Sequence, residues 1–336
     1  MKQSRTAWAG GVPAWMDDSV LPAVQARALH GALSRGQVPA GALYATPFQA
    51  MRWLALHEAW SPARRDDGVQ AAYDEVFGVL SHKLGDGPWT LASLGCGGGQ
   101  KEERFLRGAR RMPESALVVD ISPGLALTSH ARVSPFCEAH AGVIDLELNP
   151  VPSPWCESLL LGRQDQGRLP RVVFLLGMLP NMDLAHAARL LSSWTVRGDW
   201  IVLSANLASR DECALGLPGV IPQYDNPETR AWLSGFLEWQ GIPAGGFEWS
   251  FGVEPEPALG GGGARITVDA VMHARALLAV PGHEPVAWEA GRRARVFQSL
   301  RMTREAALGF GREAGLECVH GASDGGSREG VFLLRR

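Results

Sequence analysis

The spacing of apolar and polar positions divides the chain into a helical opening and a longer stretch where short apolar runs alternate with helix-period segments. Residues 17–36, 47–60 and 66–84 carry helical spacing. In the second, Phe48, Met51, Leu54 and Ala55 share one face, and in the third Val69, Tyr73, Val76, Phe77 and Leu80 do. From Trp89 onward the period changes. Strand-length apolar runs at 90–94, 116–119, 171–176 and 200–204 are separated by helical segments such as 184–194, while a further strand within 138–146 is weakly marked. Alternating strands and helices predict an α/β chain whose strands form a parallel sheet with crossover helices, a Rossmann-like core. Beyond residue 204 the rhythm breaks. A helix at 227–239 precedes a Gly/Pro-rich passage over 241–263, in which the run 260–263 reads as a loop between strands, and β-like runs follow at 265–280 and 294–302. A helix at 303–315 opens on Thr303-Arg304-Glu305 and stops at Gly315, before strands at 317–319 and 330–335. The expected organisation is a helical lid (residues 1–85), a Rossmann-like core (86–210), a smaller α+β substrate lobe (211–302), and a C-terminal helix and strands completing the fold (303–336).

The first apolar run of the core leads directly into Gly95-Cys96-Gly97-Gly98-Gly99, four glycines within five residues, and a helix then starts near Lys101. Glycines there remove the Cβ barrier to positive φ and let bare backbone N–H groups approach a ligand. The second run ends on Asp120, where a nucleotide-binding βαβ unit places a carboxylate beside ribose hydroxyls. Alone, this pattern serves NAD, FAD or S-adenosylmethionine (SAM). Glu102 and Glu103 in the first helical turn would sit awkwardly beside a pyrophosphate, which favours SAM, a cofactor without phosphate. A ligand across the C-terminal strand ends meets the residues after each run: Gly95, Gly97, Gly99 and Lys101, then Asp120, Asp145 and Gly177. Asp145 is equally suited to an adenine contact or to capping a turn.

Composition narrows the class further. The 336 residues are 46% hydrophobic, enough for a substantial core, and the net charge of −3 gives no general attraction to nucleic acid or to an anionic membrane. Five scattered cysteines without a C-x-x-C pair are expected as reduced thiols, which fits a cytoplasmic protein. The opening residues lack the apolar core of a secretory signal, and no apolar stretch is long enough to span a membrane. Nine histidines show no metal-ligand spacing, so each is expected at the surface or in the core, and no metal is expected.

The segment Val172-Val-Phe-Leu-Leu-Gly-Met-Leu-Pro-Asn-Met-Asp183 resembles the strand and loop of the histidine-specific SAM-dependent methyltransferases of ergothioneine biosynthesis, where a glycine and G-N-x-D/E follow an apolar run. Further likenesses fall in order from about residue 41 to the C-terminus: Leu43-Tyr44, Asp120-Ile-Ser-Pro-Gly124, Gly198-Asp199-Trp200, Gln223-Tyr224-Asp225-Asn226 and Ser299-Leu-Arg-Met-Thr303. The resemblance implies a SAM-binding core and a substrate pocket that includes Tyr44, Asn181, Tyr224 and Ser299. The departures fall on that pocket. Phe297 stands where the family carries a glutamate that reads the histidine side chain, and Trp60-Ser61 replaces paired tyrosines before a threonine. Losing a buried polar partner for an imidazole costs about 1–3 kcal/mol, so histidine is not the expected acceptor.

The expected activity is therefore SAM-dependent methylation of the amine of a small amino-acid-like molecule. Two alternatives share the cofactor. In one, the α-amine of SAM attacks its own γ-carbon, giving azetidine-2-carboxylate and methylthioadenosine, as azetidine-2-carboxylate synthases do. In the other, the protein binds SAM without turning it over. Of the twelve tryptophans, Trp53, Trp60, Trp232 and Trp239 fall in lid or lobe segments, where aromatic faces either pack the core or meet a cationic ligand. The sequence carries no information on oligomeric state.

Overall fold

The computed structural model describes residues 14–160, 168–324 and 328–336. In chain order the strands are β1 (Ala14–Met16), β2 (Thr90–Leu94), β3 (Ser115–Asp120), β4 (Glu138–Val143), β5 (Arg171–Leu175), β6 (Trp200–Asn206), β7 (Phe247–Pro255), β8 (Gly263–Met272), β9 (Ala276–Leu278), β10 (Val286–Trp288), β11 (Arg293–Met302), β12 (Glu317–Ser323) and β13 (Glu329–Arg335). The helices are α1 (Pro22–Ser34), α2 (Pro47–Trp60), α3 (Pro62–Arg65), α4 (Asp67–Leu84), α5 (Gln100–Gly108), α6 (Pro123–Val133), α7 (Pro154–Leu160), α8 (Leu184–Trp194), α9 (Arg210–Ala214), α10 (Ile221–Tyr224), α11 (Pro227–Trp239) and α12 (Arg304–Glu313).

Eight strands form one sheet in the order β1-β4-β3-β2-β5-β6-β13-β12. Neighbours from β1 to β6 run parallel, whereas β13 is wedged antiparallel between β6 and β12. Strand alternation divides the side chains between two cores. Leu91, Ala116 and Val118 point toward α4, α5 and α6, joining Val76, Phe105 and Ala126. Ala92, Leu94, Leu117 and Val119 point the other way, toward Leu160, Leu190, Trp194 and Phe310 of α7, α8 and α12. Burial on both faces explains why the sequence of these strands is continuously apolar.

A second layer is built from the antiparallel sheet β11-β8-β7 with helices from both chain segments that flank the core. Trp232 of α11 donates its indole N–H to the Leu43 carbonyl at 3.1 Å, and Trp288 donates to Leu33 at 2.9 Å. The N-terminal helices and the lobe thus share one apolar core, around Leu29, Leu33, Trp232, Phe236 and Val268.

Several boundaries depart from the sequence expectation for identifiable reasons. The helix expected over 17–36 begins at Pro22, whose ring suits only a first helical position, after a separate 3-10 turn at Asp18–Val20. The Gly/Pro-rich passage contains β7, an edge strand with a mostly half-exposed burial pattern that carries little alternation. The run at 265–280 divides into β8 and β9. β1, only three residues long, covers the flank of β4 and is too short to show a period. The weak signal for β4 follows from its exposed Glu138 and half-buried Ala139 and His140.

Candidate active site

The glycine turn after β2 requires its glycines. Gly95, Gly97 and Gly99 have φ of +65°, +53° and +75°. A Cβ at Gly97 would lie 2.7 Å from Trp53 Cη2, one at Gly99 would lie 2.6 Å from Ser129 Cα, and one at Gly95 would run into the Met178 thioether. The turn is tied to the next strand by Cys96 N–H donating to the Val119 carbonyl and Gly97 N–H donating to Asp120 Oδ2, both at 2.9 Å. Ser122 N–H donates to Asp120 Oδ1 at 2.9 Å. Asp120 is 7% exposed. Burial pushes its carboxyl pKa up to about 6, against the pull of these backbone donors. Each carboxylate oxygen can accept a further hydrogen bond, so the site suits a diol donor such as a ribose.

The other residues expected at the cofactor are placed differently. Asp145 takes Gln25 Nε2 on Oδ2 at 2.8 Å and the N–H groups of Glu147 and Leu148 on Oδ1 at 3.0 and 3.2 Å, the geometry of a turn cap. Lys101 lies 3.6 Å from Glu329 Oε1 and 4.8 Å over the Tyr73 ring. Gly177, with φ of +85°, donates its N–H to Ser204 Oγ at 2.8 Å. Both residues line the cavity described below. The first-turn carboxylates are engaged elsewhere: Glu102 is buried and accepts the Ser93 hydroxyl at 2.5 Å, and Glu103 pairs with Arg107 and Arg132 at 2.6 and 2.8 Å. Their charge therefore does not discriminate between a pyrophosphate and SAM. This corrects the expectation from sequence.

Beyond the turn, between the sheet and the second layer, lies a cavity of about 480 Å³. It brings together Tyr44, Asn181, Tyr224 and Ser299. Tyr44 ends the 3-10 turn Ala40–Leu43, Asn181 lies in the 3-10 turn after β5, Tyr224 ends α10, and Ser299 lies on β11. Tyr224 donates its hydroxyl to Ser299 Oγ at 3.1 Å, and Asn206 donates its amide to the same oxygen at 3.3 Å. Phe297, Ser299 and Arg301 alternate along one face of β11 as cavity lining. Phe297 meets Trp232 edge-on at 5.5 Å and lies 6.3 Å from the Tyr224 ring.

Trp53 and Tyr44 form the partition between glycine turn and cavity. Trp53 covers Gly97 and also lines the cavity, and Tyr44 meets it edge-on at 5.9 Å. Burial, followed by the carboxylates of Asp120 and Glu147, raises the Tyr44 pKa far above its usual range, so the phenol stays neutral. His57 lies tilted against Trp53, with ring centroids 3.9 Å apart. Desolvation, then the cations Lys101 and Arg64, lowers its pKa to about 3, so the imidazole is neutral at physiological pH.

The cavity wall carries four cations, Arg65, Lys101, Arg301 and Arg328, against two acids, Asp66 and Glu329. Both acids are engaged. Asp66 caps α4 and accepts Arg328 at 3.2 Å, while Glu329 accepts the Tyr73 hydroxyl at 2.5 Å beside Lys101. Sequence reasoning missed His57, Tyr73, Glu329 and Arg301. The i, i+2, i+4 spacing of Phe297, Ser299 and Arg301 could have revealed the arginine, but nothing in the local sequence signals the other three.

A parallel sheet whose penultimate strand in space is the chain's last, reversed between its neighbours, differs from the all-parallel dinucleotide-binding arrangement. This is the class I SAM-dependent methyltransferase fold. No protein-family model matches the sequence, and no curated protein matches it. Among solved structures, the chain is similar to a SAM-dependent methyltransferase from Clostridium acetobutylicum (9% identity, covering 85% of this chain and 98% of that one, TM-score 0.44). It is also similar to DhpI in complex with SAH (11%, 91% and 97%, TM-score 0.45). A third is the magnesium protoporphyrin IX methyltransferase of Synechocystis with bound SAH (12%, 87% and 96%, TM-score 0.42). Likeness at this level carries nothing about activity or substrate. None of these comparisons points to the histidine-specific enzymes. Among the described residues, no helix is long and apolar enough to cross a membrane, and no cluster of three or more His, Cys, Asp or Glu is placed to hold a metal.

Proposed function

We propose that the protein is a SAM-dependent methyltransferase acting on the amine of a small amino-acid-like molecule other than histidine. The observation that carries this reading is the cavity of about 480 Å³. The cavity lies beside the glycine turn, behind Trp53 and Tyr44, and its two acids are already paired. An acceptor amine entering it meets neutral hydrogen-bonding groups and an excess of positive charge, both of which favour its uncharged, nucleophilic form.

SAM, when bound, supplies an electrophilic methyl carbon on a sulfonium. Asp120 would accept the ribose hydroxyls, and the glycine turn would provide the close backbone approach. The ring faces of Trp53 and Tyr44 suit a neighbouring positive charge, an attraction of about 0.5–2 kcal/mol per ring. Asn181, Tyr224 and Ser299 can orient the acceptor, and such positioning supplies most of what a transfer to an unhindered carbon requires. His57, held at so low a pKa, cannot retain the proton released by an ammonium. That proton would pass to solvent. Phe297 offers no polar partner to an imidazole, which supports excluding histidine.

The test is the mass-spectrometric fate of SAM, incubated with the protein alone and with a panel of amino acids and small amines. The reading expects S-adenosylhomocysteine only when an acceptor is present. Methylthioadenosine from SAM alone would instead establish the cyclase, and binding without either product would establish a non-catalytic SAM-binding protein.

A further inference from the structure

Arg301 is 5% exposed, yet its guanidinium has no carboxylate partner among the described residues. Nη1 donates to the carbonyls of Leu207 and Arg328 at 3.2 and 3.5 Å, Nη2 donates to Gln223 Oε1 at 2.8 Å, and the buried Nε–H has no acceptor. A buried cation hydrogen-bonded only by neutral oxygens is incompletely compensated, the Glu212 carboxylate interacting with it only through longer-range attraction. It lines the acceptor cavity two positions beyond Ser299 on the same face of β11, and the cavity wall as a whole carries more cations than acids. At the other end of that face stands the aromatic wall of Phe297, Trp232 and Tyr224.

We propose that Arg301 binds a carboxylate on the acceptor, so that the substrates of this cavity are carboxylates with an apolar or aromatic body, an inference that rests on the methyl-transfer reading of the same site. The Gln223 amide oxygen occupies part of the guanidinium edge. A bound carboxylate would share that edge and supply the missing charge, while the body of the molecule lies against Phe297.

The test is calorimetric titration of the full chain, saturated with S-adenosylhomocysteine, with 3-phenylpropanoate, indole-3-propanoate and acetate, each beside its primary amide, and with the matching phosphonates. The proposal expects at least one carboxylate to bind tenfold or more tighter than its amide. Arg301→Gln should reduce that preference to within twofold. Because Arg301 also holds two backbone carbonyls, Gln223→Glu is the second variant: it places a carboxylate on the guanidinium without removing it and should equally abolish the preference. S-adenosylhomocysteine affinity should be unchanged in both. No carboxylate preference in the wild type, or a preference that survives Gln223→Glu, would overturn the proposal. A phosphonate binding more tightly than every carboxylate would overturn the carboxylate assignment in favour of a phosphoryl acceptor. Failure of the methyltransferase reading would appear separately, as absent S-adenosylhomocysteine binding in a titration of the full chain with that compound alone, run before the carboxylates are added.

Discussion

Asp120 is the residue at which the cofactor assignment can be tested by pH. Burial raises its pKa from 3.8 to about 6 in the ligand-free protein. At roughly 1.4 kcal/mol per unit, keeping the ionised carboxylate in place costs about 3 kcal/mol at neutral pH. A folded-state pKa above the unfolded one gives stability that is fully present below 3.8 and lost as pH rises through 6. A ligand donating ribose hydroxyls binds the ionised form and offsets that cost. S-adenosylhomocysteine should therefore bind about tenfold more weakly at pH 5 than at pH 7, since only about a tenth of the unliganded carboxyl is ionised at the lower value. Asp120→Asn removes a charge-assisted acceptor and should weaken binding by about 1.5–3 kcal/mol at pH 7, with a smaller pH dependence between 5 and 7 than wild type. Calorimetry of both proteins across that range is the assay. A wild-type affinity constant with pH, or an Asp120→Asn affinity within twofold of wild type, would refute the reasoning.

Gly97→Ala places a Cβ 2.7 Å from the Trp53 ring at a φ of +53°; it should cost about 1–2 kcal/mol in backbone strain and weaken S-adenosylhomocysteine binding about five- to thirtyfold, by about that energy, with partial recovery when Trp53→Ala relieves the clash. Asp199 is fully buried and accepts Arg168, the Arg171 N–H and the Val196 N–H at 2.6, 3.1 and 2.9 Å. Asp199→Ala should lower the urea-unfolding free energy by about 3 kcal/mol, and a loss below about 1 kcal/mol would contradict its structural role. Tyr224→Phe removes the hydrogen bond to Ser299 and should raise the acceptor KM roughly two- to tenfold, about 0.5–1.5 kcal/mol, while SAM affinity stays unchanged.

The parallel core was legible because β2, β3, β5 and β6 are buried on both faces and therefore apolar throughout, and because the glycine turn needs residues without a Cβ. Edge elements were not. β1 and β7 bury too little to impose a period, so their pairing is decided by tertiary contacts. The meeting of Tyr44, Asn181, Tyr224 and Ser299 could be anticipated only through a resemblance spread along the chain, since no local spacing joins residues so far apart. The neutral His57, the Lys101–Glu329–Tyr73 cluster and the Arg301 guanidinium held by neutral oxygens arise from long-range packing around the cavity. Glu102 and Glu103 show the opposite error: their position in the first helical turn was clear, but their partners, Ser93, Arg107 and Arg132, were not.

A sulfur-bearing adenosine is proposed to lie beside the glycine turn, with its ribose on Asp120. Competition calorimetry with S-adenosylhomocysteine, NAD and FAD on the full chain tests it most directly. Saturable one-site binding of S-adenosylhomocysteine that neither dinucleotide displaces is the expected result. Displacement by a dinucleotide, or heat from NAD or FAD with none from S-adenosylhomocysteine, would contradict it.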